Sequence, residues 1–376
     1  MFENEKIYIA GPECFYTGGY DMLAAMKKIA EAKGFGVTLP NDHPLDMENP
    51  DLRKRADSIF EDLKKVMLDT TVIIADLEAY RGSEPDSGTI YEIGMAYAKG
   101  ARCYGYTRDK RPLAWKDQKY TMRDGLVYDE HGKRAPYKEL PFSPNIIGST
   151  KIIEGDFDDC LKMLMTDIEE EKKQTGISGR ISGVAEGTLS ESKGYSNDET
   201  LHECPFVYLA GPERYDEDAK AVYVRMKELC KKYGLYALTP LDWTEDVFEV
   251  QEGCPYTAAA VQFSHWQQCV RDCDAVIADL NDYRGYECSN DVAFECGMGF
   301  QLGKKLFGYL SDGRPTKEKV PNLGVDREYR DMTGANVEDF NYPVNLMFAC
   351  SMDIMEGRFE DVIAKIAEVL HQKEER

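Results

Sequence analysis

Residues 71–82 read TVIIADLEAYRG, and residues 275–285 read AVIADLNDYRG. The first opens on an unbroken apolar, β-branched run, TVIIADL (71–77). Apolar side chains at consecutive positions, rather than alternate ones, predict a strand covered on both faces, as in a parallel sheet between two helix layers. Working outward, the flanking segments repeat as well. KIYIAGPE (6–13) matches FVYLAGPE (206–213), and EIGMA (92–96) matches ECGMG (295–299), in the same order and at nearly the same spacing. The period far exceeds the roughly 20–50 residues of a solenoid repeat. The chain is therefore a domain written twice, and each copy serves as a control for the other.

Within the first copy the elements alternate. KIYIAG (6–11) predicts a strand ending at Gly-Pro, YDMLAAMKKIAEAKG (20–34) a helix stopped by glycine, and GVTLP (36–40) a second strand. ADSIFEDLKKVMLDT (56–70) predicts a helix before the central strand, GTIYEIGMAYAKG (88–100) a helix after it, and ARCYGYT (101–107) a further strand. This βαβαβαβ order implies an α/β fold, an open parallel sheet with helices on both faces, present in tandem. Amphipathic segments close each copy, DFDDCLKMLMTDIEEEKK (156–173) and RFEDVIAKIAEVLHQKEER (358–376). The copies are expected at 1–173 and 204–376, joined by a Gly-, Ser- and Thr-rich flexible linker at 174–203.

Composition narrows the function. A net charge of −22, from 68 acidic against 46 basic residues, disfavours a polynucleotide partner, which requires a basic surface. A small neutral ligand remains open. The eleven cysteines form no CxxC pair, and the opening residues do not read as a signal peptide, so reduced thiols in the cytoplasm are expected. Five histidines lie far apart, which predicts no metal site, and no apolar run approaches the ~20 residues of a membrane span. No cofactor is expected.

Ligands of open α/β sheets bind at the carboxyl ends of the strands. The loop DLEAYRGSEPDSGT (76–89) lies there and leads into a helix containing Glu92. Asp76, Glu78, Glu84, Asp86 and Glu92 fall within this short span, a carboxylate cluster that points to acid–base or nucleophilic chemistry. A structural reading of Glu92 competes: Thr89 as N-cap and Glu92 at the third helical position would form a capping box. In the second copy Val292 replaces the threonine while Glu295 remains, so the glutamate outlives its capping partner and the functional reading is preferred. A helix start also favours an ionised carboxylate. Asp86 could be an ordinary turn residue, Asp62 a solvated helix residue and Tyr8 strand core. Asp76 and Asp279 end their strands and suit backbone amides of the loops. Arg81-Gly82 and Arg284-Gly285 read as loop anchors.

IYIAGPE, ADLEAYRGSEPDSGTIYEIGMA and the later VNLM resemble the nucleoside 2-deoxyribosyltransferase family. The resemblance covers both copies and implies flavodoxin-like sheets. It also implies a glutamate nucleophile that attacks C1′ of a 2′-deoxynucleoside, expels the base and forms a deoxyribosyl ester, which a second base or water then takes. Two such displacements retain configuration. Carried over by motif, Glu92 is the nucleophile, Asp86 and Asp62 hold and protonate the base, and Tyr8 positions the nucleophile or sugar. Gly11, Asp76 and Gly88 fall to substrate binding. The implied partners are 2′-deoxynucleosides and free nucleobases.

The copies differ where it matters. Aligned by motif, Asp86 corresponds to Ser289, Gly88 to Asp291 and Asp62 to Gln267, whereas Tyr208, Asp279 and Glu295 persist. In the resembled family an Asn-Leu-Met segment of a neighbouring subunit closes the site. Here the second copy has Asn345-Leu346-Met347, and the first has Asn145-Ile146-Ile147. The expectation is a fused pseudo-dimer, alone or within a larger homo-oligomer. One site would be complete, using the first copy's acids with Asn345 and Met347. The other, with Tyr208, Asp279, Glu295 and Asn145, would be weak. Two alternatives stand beside this one. An N-glycosidase acting on nucleoside 5′-monophosphates would need phosphate donors, yet the first-strand loop offers Thr17, Gly18 and Gly19 without Arg or Lys. Arg214 keeps that option in the second copy. A non-catalytic nucleoside sensor is disfavoured by the Asp62, Asp86 and Glu92 set.

Overall fold

Strand β1 (Lys6–Ala10) lies between β2 (Gly36–Thr38) and β3 (Val72–Asp76), and the sheet continues through β4 (Arg102–Thr107). After a small hairpin, β5 (Thr121–Arg123) with β6 (Leu126–Tyr128), strand β7 (Lys151–Glu154) completes the order β2-β1-β3-β4-β7. All neighbours in the sheet are parallel. This computed structural model describes residues 2–116, 120–129, 132–134, 139–175, 204–242 and 255–372. The first copy's helices are α1 (Gly19–Glu31), α2 (Leu52–Asp69), α3 (Ser87–Ala98), α4 (Pro144–Ser149) and α5 (Phe157–Thr175).

The second copy repeats the plan. Its elements are β8 (Phe206–Ala210), α6 (Ala219–Lys232), β9 (Tyr236–Leu238), α7 (Pro255–Asp272), β10 (Ala275–Asp279), α8 (Asn290–Gln301) and β11 (Lys305–Leu310). They continue with α9 (Thr316–Lys319), α10 (Leu346–Ser351), β12 (Asp353–Glu356) and α11 (Phe359–His371). The sheet order is β12-β11-β10-β8-β9, again parallel. The fold is thus the expected tandem of flavodoxin-like α/β units.

Burial follows the strand periodicity. Ile7, Ile9, Val72 and Ile74 meet Leu23, Phe157 and Leu164 on one face. Tyr8, Ala10, Ile73 and Ala75 meet Phe60, Leu63 and Ile90 on the other. The edge strands β7 and β12 escaped the sequence reading because their four residues are only partly covered, so no apolar run marks them.

Three boundaries moved. α2 begins four residues earlier than expected, at Leu52, because Asp51 caps it by accepting from Arg53 N at 2.9 Å. Asp86 caps α3, its Oδ2 accepting from both Thr89 N and Thr89 Oγ1 at 2.7 Å. Thr89 is therefore not an N-cap, the capping box with Glu92 does not form, and Glu92 lies in the second turn. At the expected linker, Gln174 and Thr175 belong to α5, and 176–203 lie outside the described residues.

The two units dock through α3 and α8, about a pseudo-two-fold axis. A Cβ on Gly94 would overlap the carbonyl oxygen of Phe294, and a Cβ on Gly297 that of Tyr91. Aromatic pairs repeat the reciprocity: Phe60 packs edge-on to Phe300, and Phe263 to Tyr97, each with centroids 5.1 Å apart. Gly82 and Gly285 form an antiparallel bridge between the copies. Beside them Arg81 reaches Asp331 at 2.9 Å, and Arg284 lies 3.7 Å from Asp129, so the anticipated anchors tie one copy to the other. Self-complementary contact of this kind is what a two-fold interface requires.

Candidate active site

Tyr8 stands in the middle of β1 and faces α3, where its hydroxyl donates to Glu92 Oε1 at 2.7 Å. Glu92 is buried, and burial first, then the nearby Asp86, pushes its carboxyl up to about 8 against the lowering bond from Tyr8. The expected ionised carboxylate at a helix start is corrected accordingly. One turn in, Glu92 is beyond the free N–H groups of the helix end, and desolvation favours the neutral form.

Asp86 has a divided carboxylate. Oδ2 is occupied by Thr89, while Oδ1 is buried without a partner. Burial raises this group, and the Thr89 bonds oppose the rise. Both acids border a cavity of about 450 Å³ that the two copies build together. The first copy supplies Gly11, Cys14, Asp86, Gly88 and Glu92, and the second supplies Asn336, Glu338, Asn345 and Met347. Phe15, Leu52, Ile59, Phe340 and Leu346 give it apolar walls. Asn345 caps α10 by accepting from Met347 N at 2.9 Å, and its Nδ2 lies 2.8 Å from where a Cβ on Gly88 would stand. Glycine at 88 thus admits a side chain from the other copy. Gly11 leaves room for the Glu13 carboxylate, with which a Cβ would collide.

Three anticipated residues do not line this cavity: Asp62, Asp76, and Tyr8, which touches it only through Glu92. Asp62 is buried on α2 and lies 2.5 Å from His43 Nδ1. Asp76 accepts from Glu78 N at 2.8 Å, as its strand-end position suggested. It borders a separate hollow with Glu13 and Tyr106, where burial and Glu13 raise it to about 7. Conversely, Glu338, Asn336, Cys14 and Arg55 line the cavity and were not anticipated. Glu338 and Asn336 lie only a few residues before the Asn-Leu-Met segment, and that proximity was the available signal.

The second copy's equivalent place is differently filled. Tyr208 donates to Glu295 Oε1 at 2.9 Å, repeating the Tyr8 bond, and Asn145 Nδ2 donates to the same oxygen at 3.2 Å. Arg214 adds a bidentate pair to Glu295, at 2.7 Å to each oxygen, and its guanidinium lies 4.3 Å over the Trp266 ring. Asp291 accepts from Asn145 N at 3.1 Å and from Tyr215. Asp279 accepts from Asn281 N at 2.8 Å. Two expectations change. Arg214 is fully buried and committed to Glu295, so it is not a free phosphate donor. The counterpart of Asp62 is His265, not Gln267: Asp62 and His265 stand equally far before the ends of α2 and α7, and Gln267 instead accepts from Tyr97 OH at 3.0 Å.

Among the described residues no helix is long and apolar enough to cross a membrane, and no group of three or more His, Cys, Asp or Glu residues could hold a metal ion. The family described as nucleoside 2-deoxyribosyltransferase matches the chain twice, over residues 7–137 and 207–347. An uncharacterised protein of Schizosaccharomyces pombe is 31% identical over 120 residues, which is 32% of this chain and 56% of that protein. The chain therefore spans little more than half the length of this curated relative. A solved 2-desoxiribosyltransferase from Leishmania mexicana is 30% identical over 44% of this chain and 97% of its own, with a TM-score of 0.35. A 2-deoxyribosyltransferase from Bacillus psychrosaccharolyticus is 17% identical over 42% of this chain and 90% of its own, with a TM-score of 0.27.

Proposed function

The chain belongs to the nucleoside 2-deoxyribosyltransferase family, and on that premise we propose that its Glu92 cavity moves a 2-deoxyribosyl group between nucleobases. The observation that carries this is the buried Tyr8–Glu92 pair beside the unpartnered Asp86 Oδ1, in a cavity that Asn345 of the other copy borders. A Glu92 oxygen attacks C1′ while Asp86 holds the base on the opposite side of the glycosidic bond. Positive charge that develops at C1′ favours the carboxylate form of Glu92, which burial alone disfavours. Tyr8 fixes the attacking group, and Asn345 and Met347 close on the sugar. Asp62 acts as a positioning residue: it holds His43, on the chain that leads past the cavity residues Leu45, Met47 and Leu52. The domains at 1–173 and 204–376 work as a unit, the first bearing the complete site and the second a silent one.

Base exchange is tested by incubating the protein with deoxyinosine and adenine and separating deoxyadenosine from free deoxyribose. Glu92→Gln is expected to lower exchange on the order of 10⁴-fold or more, the scale of removing a nucleophile, with an unchanged circular dichroism spectrum. A folded variant that keeps most of its rate, or a trapped sugar adduct on another residue, would sink the assignment. One observation favours a second reading, hydrolysis of deoxynucleoside 5′-monophosphates: Arg55 lines the cavity. Four acids lining the same cavity, Asp86, Glu92, Glu338 and Asp339, oppose a phosphate dianion. Faster release of base from deoxyinosine monophosphate than from deoxyinosine would reverse this order.

A further inference from the structure

We propose that Glu338, supplied by the second copy, holds the proton that the departing nucleobase takes up in the Glu92 cavity, sharing the handling of the base with Asp86. The inference rests on the transfer reading above and adds a residue from the opposite copy to it.

Geometry is the first support. Glu338 lines the same cavity as Asp86 and Glu92. Its Oε2 accepts from Leu346 N at 3.2 Å, whereas Oε1 is buried and unpartnered. Asp86 shows the same division, with Oδ2 occupied and Oδ1 unpartnered. Two carboxyl groups that border the cavity, one from each copy, thus each have one oxygen without a partner, which a base edge with its own donors and acceptors would satisfy. Anchoring α10 is a purely structural alternative for Glu338. An uncharged glutamine would accept from Leu346 N equally well and would avoid the cost of burying a carboxyl.

The duplication supplies a second, independent support. In the second copy a turn from Asp331 to Gly334 reaches Arg81, and Asn336 N donates to Phe15 O at 2.7 Å. In the first copy the equivalent turn, Asp129 to Gly132, reaches Arg284, and Arg134 N donates to Tyr215 O at 2.9 Å. Each copy thus lays this segment on the other's site. Two residues beyond Asn336 is Glu338, which lines the Glu92 cavity. The place of Asp86 is taken by Ser289 at the other site. Asp86 and Glu338 thus accompany Glu92, which carries no arginine partner, whereas a serine stands in the place of Asp86 where Arg214 neutralises Glu295.

Electrostatics agrees with a held proton. Burial raises Glu338 to about 7, Arg81 opposes the rise, and Asp86 adds to it. Burial raises Asp86 as well, and two nearby carboxyl groups disfavour each other's ionisation. A Glu92 carboxylate oxygen bonds to C1′, the C1′–N bond breaks with its electron pair passing to the base, and the base takes the proton from Glu338, which becomes a carboxylate. When a second base attacks C1′ its proton returns to Glu338, the ester bond breaks, and Glu92 is released as a carboxylate.

Glu338→Gln keeps the acceptor for Leu346 and loses the transferable proton. With deoxyinosine as donor, its kcat/KM is expected to fall about 10²-fold, the scale of general acid catalysis. With p-nitrophenyl 2-deoxyriboside, whose leaving group needs no proton, the fall should stay under about tenfold. The loss of wild-type activity as pH rises past neutrality should also flatten in the variant. Equal losses on the two donors, or an unchanged rate and pH profile, would overturn the role of Glu338 while leaving transfer intact. A wild-type protein that neither exchanges nor releases bases would instead overturn the functional reading beneath it.

Discussion

One side chain decides whether the buried glutamate of each site is ion-paired. After Gly-Pro-Glu the first copy continues with Cys14 and the second with Arg214. Cys14 borders an open cavity, whereas Arg214 is fully buried against both oxygens of Glu295. The same buried glutamate, with the same tyrosine partner, is thus presented as a reactive group in one setting and as half of an ion pair in the other. Breaking a buried pair from one side costs more than replacing both partners, because it strands a charge. Arg214→Ala should therefore lower stability by about 3–5 kcal/mol, read by denaturant unfolding. The double variant Arg214→Met with Glu295→Met should recover most of that loss. Equal losses in the two would assign the stabilisation to packing on Trp266 instead. Glu295→Gln should leave base exchange within about twofold, since the nucleophile belongs to the other copy.

At the scale of elements, the glycine in EIGMA and ECGMG is explained by the crossing of α3 and α8. Gly94 and Gly297 each face a backbone carbonyl of the opposite helix, with no space for a Cβ. Alanine in a helix interior normally gains about 1 kcal/mol over glycine. Here the overlap is with backbone, which cannot rotate away, so Gly94→Ala and Gly297→Ala should each cost about 1–3 kcal/mol or more. Thermal unfolding measures that sign directly, and a stabilised variant would show that the helices do not meet so closely. Exchange activity should fall too, because Asn345 and Glu338 reach the Glu92 cavity only while the copies are docked.

The whole molecule carries an unusual number of buried carboxyl groups. Burial raises Glu92, Glu213 and Glu287 to about 8, and Asp76, Glu84 and Glu338 to about 7. Glu13 beside Asp76 and Glu213 beside Asp279 repeat one carboxyl pairing in both copies. Glu13, Asp76, Glu84, Glu92, Glu213, Glu287 and Glu338 thus have folded values above the roughly 4 of an unfolded chain. Between about 4 and 8 the native state therefore binds more protons, and stability falls as pH rises through that window. The net charge of −22 adds self-repulsion of the same sign. The melting temperature should be higher at pH 6 than at pH 8.5, as measured by calorimetry. A flat profile over that range would mean that these carboxyls are ionised in the folded protein.

Duplication, the alternation of strands and helices and the loop bearing Asp86 and Glu92 were legible in the sequence, because apolar periodicity and loop position are local properties of the chain. So was Asn345, since its motif survives in one copy and is weakened in the other. The local competitor for Glu92, a capping box, failed on a detail of helix entry, where Asp86 caps in place of Thr89. Asp62, equally prominent in the sequence, points to His43 rather than into the cavity. The commitment of Arg214 to Glu295 and the arrival of Glu338 beside Asp86 depend on residues 81 and about 250 positions apart. Each follows from tertiary packing, the turn after β8 against α8 in one case and copy against copy in the other. The chain by itself determined two α/β units with a carboxylate at each strand edge. Only tertiary packing decided which carboxylate meets an open cavity, through Arg214 within the second copy, and which acids accompany it, through the docking of α3 on α8, because both require side chains distant in sequence to share one buried space.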